Sequence, residues 1–124
     1  MALEKFLNSG EPVIQALDKR RYKRVECDIE SSFNDLDGTK PHDIRETMVR
    51  DISEGGIRFR SNEFIPIHNR LLFKLDLPKK KSIRAIAKPA WIREVPSLSQ
   101  YEIGASFQGL SEEDISIIRN LAVV

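Results

Sequence analysis

Two short stretches of this chain carry residue types able to do chemistry. Lys19-Arg20-Arg21-Tyr22-Lys23-Arg24 puts five cations in six residues of a chain whose formal net charge is only +1. Such a cluster repels itself and is easiest to account for when an anion sits on it. Arginine presents a planar fork of donors that matches phosphate and also the O6/N7 edge of guanine. In an extended segment, Arg20 and Arg24 point to the same side about 13 Å apart, with Tyr22 between them as a stacking surface. That span suits a ligand larger than one phosphate. The second stretch, Asp51-Ile52-Ser53-Glu54-Gly55-Gly56, reads as a polar turn between two strands, in which Asp and Ser side chains cap backbone amides. Gly55 or Gly56 can take positive φ there at little cost.

Each stretch alone has a complete explanation without a ligand: a solvated charge run before a strand, and an ordinary turn. What favours function is the pair. It sets a carboxylate and a hydroxyl at a strand–strand corner and an arginine arm entering the same body.

Catalysis finds little support. His42 stands in a loop beside Pro41 and His68 in a turn, and no serine or cysteine sits in a recognisable nucleophile setting. Two histidines and one cysteine scattered along the chain make a poor zinc site. The acid pairs Asp35/Asp37 and Glu112/Glu113 read as turn and helix-start residues. We expect no enzyme activity, no cofactor and no metal.

The elements that must position the two stretches follow from periodicity. Val25, Cys27, Ile29, Ser31 and Phe33 alternate with polar residues, the pattern of a half-buried strand. Asn34 to Pro41 is a loop. A second strand runs from Ile44 to Ile52, and a third carries Ile57 and Phe59 inward with Arg58 and Arg60 outward. After a turn at Pro66–Asn69, Leu71, Phe73, Leu75 and Leu77 alternate. Pro78–Ser82 reads as a basic hairpin tip, solvated by its lysines. Ile83–Val95 is a long strand that Pro89 must bend or bulge, because proline cannot donate to a ladder. Pro96–Gln100 turns into the last strand, with Tyr101, Ile103, Ala105 and Phe107 on one face. Ser111 then caps a helix opened by Glu112, Glu113 and Asp114, with Ile115, Ile118, Leu121 and Ala122 at helical spacing. Six evenly spaced strands and one amphipathic helix predict an all-β, closed or nearly closed antiparallel barrel with the helix on an open end or its side. Residues 1–18 are expected to form a short N-terminal arm, broken at Ser9–Pro12, and residues 19–124 the barrel domain with its helix.

Composition bounds the rest. The 124 residues are 40% hydrophobic, enough for one core, and 20 basic against 19 acidic residues confine any argument from charge to local clusters. Cys27 is the only cysteine, so no internal disulfide forms. With no signal-like or membrane-spanning apolar run, a cytoplasmic protein without membrane insertion is expected, as monomer or homodimer.

Arg20-x-x-x-Arg24 followed by Asp51-x-Ser53-x-x-Gly56 resembles the R-x-x-x-R and D/N-x-S-x-x-G motifs of the PilZ domain family. Ala90-Trp91-Ile92 is similar to that family's penultimate strand, and Tyr101–Phe107 with Leu110-Ser111 to its last strand and helix start. The resemblance covers roughly residues 19–122 and implies a six-stranded antiparallel barrel that binds cyclic di-GMP. Arg20 and Arg24 would hold phosphates and guanine edges, Asp51 and Ser53 would contact the ligand from the barrel surface, and Gly56 would permit the turn. Arg21 and Lys19 would add local positive charge. The family binds one molecule or a stacked pair, and Lys19 would favour the pair. The ligand, with two phosphates and two guanines, offers what arginine forks recognise bidentately; neutralising the arm would order it and relay the signal to a protein partner.

Two other classes compete. A small-barrel nucleic-acid binder would use Lys19–Arg24 and Lys79–Lys81, but such barrels interleave aromatics on a strand face. Here 7% of residues are aromatic, and Phe33, Phe59, Phe73 and Phe107 fall on inward positions. An adaptor that binds nothing small would not need the motif residues.

Overall fold

The computed structural model describes residues 24–121. The expected arm, with Lys19, Arg20 and Arg21 of the basic cluster and Ala122 of the helix stripe, lies outside the described residues. The chain runs β1 (Val25–Asp35), β2 (Arg45–Ile52), β3 (Gly56–Ser61), β4 (Leu71–Leu77), β5 (Lys81–Val95), β6 (Gln100–Gln108) and α1 (Glu112–Leu121). The six strands close into an antiparallel barrel in the order β1-β2-β3-β6-β5-β4. Closure leaves no free sheet edge to be covered.

The inward set is largely the one the alternation predicts. Ile29, Phe33, Val49, Ile52, Ile57, Phe59, Leu71, Phe73, Leu75, Leu77, Ile83 and Ile103 are buried in one core. Phe33, Phe59 and Phe73 meet at its centre, with ring centroids 4.8 to 5.4 Å apart, the offset and edge-on spacing that aromatic quadrupoles favour. Phe107 packs on this core only half-buried. On α1, Ser111 Oγ accepts from the Asp114 N–H at 3.0 Å, the expected cap. Ile118 is fully buried, and Ile117, absent from the expected stripe, joins Leu121 against the core. The hairpin tip is shorter than expected: Pro78–Lys80 turn, and Lys81 and Ser82 already pair with Leu77 and Asp76.

Three register shifts matter more than the regular ladders. In β5, Pro89 pairs Ala105 and Trp91 pairs Gly104, so one residue is extra, the bulge expected at Pro89. In β2, Val49 pairs Phe59 and Asp51 pairs Arg58, a second bulge. A third falls in β1 between Glu26 and Ile29. Among the described residues no helix is long and apolar enough to cross a membrane, and no group of three or more His, Cys, Asp or Glu could hold a metal ion.

Candidate functional site

Strict alternation from Val49 would aim Asp51 into the apolar core, where an unpaired carboxylate is untenable. The β2 bulge prevents this. It spends one residue, so that Ile52 re-enters the core while Asp51 meets charged partners on the outer face. Asp51 Oδ1 accepts from Arg24 Nη1 and Oδ2 from Arg58 Nε at 2.6 Å. Arg58 continues the chain of charges, its Nη1 donating to Glu102 Oε2 at 2.5 Å, and Arg93 Nη2 donates to Glu102 Oε1. A ladder Arg24–Asp51–Arg58–Glu102–Arg93 thus crosses the outside of the barrel, from the residue before β1 over β2, β3 and β6 to β5.

The two acids of this ladder are the shielded members. Their side chains are 11% and 4% exposed, against 29% to 67% for the three arginines. Burial pushes the Glu102 carboxyl up, but the hydrogen bonds from Arg58 and Arg93 outweigh it and hold the group below its ordinary value. Arg58 is correspondingly raised, first by its bond to Asp51 and then by Glu102, against the opposing effect of burial. Arg60, two residues along β3 and opposite Glu102 in register, contributes a further cation whose Nε is buried without a hydrogen-bond partner. Within the ladder, three guanidiniums are shared between two carboxylates. A groove of about 560 Å³ lined by Glu26, Cys27, Asp28, Arg50, Arg58 and Arg60 opens beside them.

The turn that follows Asp51 is clamped three ways. Ser53 N–H donates to Gly56 O at 2.9 Å, Gly55 N–H to Ser53 Oγ at 3.1 Å, and Phe107 N–H to Gly55 O at 2.9 Å. Arg119 of α1 donates from Nε to Glu54 Oε2 at 2.6 Å, which ties the helix to the same turn. The expected reason for glycine at 56 needs correction. Gly56 does not adopt positive φ; among the described glycines only Gly109 does. A Cβ at Gly56 would instead stand 2.1 Å from the Ala105 carbonyl oxygen, so glycine is needed for the close approach of β3 to β6. At Gly104 a Cβ would collide with the Trp91 ring at 2.2 Å. Trp91, turned outward by the β5 bulge and 42% exposed, lies over that glycine, level with Arg58 across β6.

Of the sequence candidates, the structure brings Arg24, Asp51, Ser53 and Gly56 to one end of the barrel's outer face. Lys19, Arg20 and Arg21 lie outside the described residues. Arg58, Glu102, Arg93 and Trp91 were not singled out as site residues. Arg58 and Arg60 were expected to face outward, and that was the available signal.

Cys27, beside this ladder, bonds weakly to Val49 O at 3.7 Å. Burial, then the charges of Asp51 and Asp28, push its thiol up to about 11. Its side chain packs half-buried against the core.

Fold and face together define a small closed-barrel module with an arginine-rich outer surface. The chain belongs to the PilZ domain family, whose model matches residues 18–123. Among solved structures it is similar to the inhibitor of motility MotI/DgrA of Bacillus subtilis, with a TM-score of 0.71 and 16% identity over 84% of this chain and 49% of that one. It is similar also to YcgR of Escherichia coli in complex with c-di-GMP, with a TM-score of 0.67 and 15% identity over 85% of this chain and 45% of that one. The MrkH–c-di-GMP complex of K. pneumonia gives 0.67 and 18% over 84% and 51%. The chain spans about half the length of these three structures. No curated protein matches it in sequence.

Proposed function

We propose that this domain is a receptor for cyclic di-GMP. The observation that carries the reading is the ladder's surplus of arginine at the motif carboxylate: Arg24 and Asp51, residues of two separate motifs, meet on the outer face. Family membership and the c-di-GMP complexes of YcgR and MrkH support the choice of ligand. Arg20 and Arg24 take the phosphates and guanine edges, with Arg21 and Lys19 adding charge to the arm. Asp51 accepts from the guanine N–H donors, and Ser53, whose oxygen already accepts from Gly55, has its own hydroxyl hydrogen to give. Trp91 offers a flat apolar face beside Arg58. Glu54–Arg119 and Gly55–Phe107 link the turn to α1 and to the end of β6, a route by which an occupied site reaches a partner protein.

Thermal melting with and without cyclic di-GMP tests this. Ligand at 100-fold over its dissociation constant stabilises by about 2.7 kcal/mol. Arg20→Ala abolishes the shift and leaves the ligand-free melting point nearly unchanged. No shift for the unaltered chain at high ligand favours the adaptor. Hydrogen exchange over residues 15–25 checks the ordering of the arm: equal protection with and without ligand removes that part of the mechanism.

A further inference from the structure

The carboxylate of Asp51 is shared by two arginines held in different ways. Arg24 precedes β1, in direct continuity with the basic cluster, and within the ladder it touches Asp51 alone. Arg58 sits within β3, directly opposite Asp51 in register, and is gripped at two points. Its Nε reaches Asp51 and its Nη1 reaches Glu102, whose other oxygen is held by Arg93. Glu102 is the most shielded charge of the ladder and is held ionised below its ordinary range. It anchors Arg58; within the ladder it bonds Arg58 and Arg93 and has no contact with Arg24 or Asp51.

We propose that Arg58 is a positioning residue of the site, held by Glu102, and that it keeps Asp51 in place while Arg24 exchanges that carboxylate for the ligand. The inference rests on the cyclic di-GMP reading. An anionic ligand drawn onto Arg24 competes with Asp51 for the same guanidinium. Stripping a shielded carboxylate of its partners is costly, because the desolvation penalty is no longer offset. With Arg58 in place the exchange removes one partner of two, and Asp51 Oδ1 is freed toward the ligand while Oδ2 stays fixed. A pre-aimed acceptor loses no rotamer freedom on binding. Guanine carries N–H donors for such an acceptor.

Calorimetric titration of the full chain with cyclic di-GMP separates this from a structural role. Arg58→Met weakens binding about tenfold, because Asp51 is no longer fixed. Arg58→Lys recovers part of the loss, since it returns the charge without the two-pronged reach. Glu102→Gln weakens binding less, and in the Arg58→Met background it adds little further, because its link to Asp51 runs through Arg58. Two results overturn the proposal: Arg58→Met binding like the unaltered chain, or the two substitutions adding in full. Failure of the unaltered chain to bind overturns the cyclic di-GMP reading and this inference with it. Binding intact in the unaltered chain and in Arg58→Met overturns the inference alone.

Discussion

β1 carries a carboxylate centre near each of its ends, and the two are built on opposite principles. At its C-terminal end, Asp35 is buried and fully paired at close quarters: Asn69 Nδ2 donates to both of its oxygens at 3.0 and 3.1 Å, and the Asp37 N–H adds a third bond. Asp37 takes Arg70 through its backbone N–H, Nε and Nη2 at 2.8 to 3.1 Å. Every carboxylate oxygen there accepts at least one bond, and the knot fastens the β1–β2 loop to the start of β4. At the other end, where Glu26 pairs Asp51 in register, Asp51 and Glu102 are shared among Arg24, Arg58 and Arg93. The first centre is closed and holds the fold. The second leaves each carboxylate shared between two arginines, and it is there that the proposed ligand would bind.

Gly56→Ala forces a methyl against the Ala105 backbone oxygen, in a ladder that cannot move away. It should cost about 1–3 kcal/mol or more in chemical denaturation, as overpacking does. A neutral result there would mean that β3 and β6 separate more easily than the closed barrel suggests. Asp35→Ala strips the partners from the Asn69 amide and should cost about 1–3 kcal/mol while leaving ligand affinity unchanged. If it weakened binding as well, the two centres would not be independent.

The smallest effect is one of pH. The Asp37 carboxyl is held down to about 2, against an ordinary 3.8, mainly by the side-chain and then the backbone bond from Arg70. A depressed carboxylate contributes stability that is present above its unfolded value and lost as pH falls through the folded one. Asp37→Asn should therefore lower the melting temperature modestly at neutral pH and flatten its fall between about pH 4 and pH 2, so that the two proteins converge near pH 2. Because this pair lies on the surface, added salt should shrink the difference, and an undiminished one would mark the knot as more shielded than its exposure implies.

Much of this molecule could be read before its fold was known. Alternation in β1, β3 and β4, the proline bulge in β5 and the Ser111 cap all depend on near neighbours in the chain, so periodicity carries them. The helix stripe was nearly right, missing by the substitution of Ile117 for Ile115. The burial of Glu102 was not legible, because it depends on Arg58 and Arg93 closing over it from two other strands. The role of Gly56 was misjudged for the same reason: its constraint is the backbone of β6 and not its own turn.

Near-neighbour chemistry accounts for the inventory: six strands, a helix, two motif loops and a cluster of arginine at the first of them. Side-chain period, turn residues and charge spacing are local properties, and local physics decides them. Which charges meet depends instead on pairings between strands far apart in the chain. Bulges in β2 and β5 turned Asp51 and Trp91 outward, and barrel closure set β1, β2, β3, β6 and β5 side by side. A single ladder could then run from Arg24 to Arg93 across residues 69 positions apart.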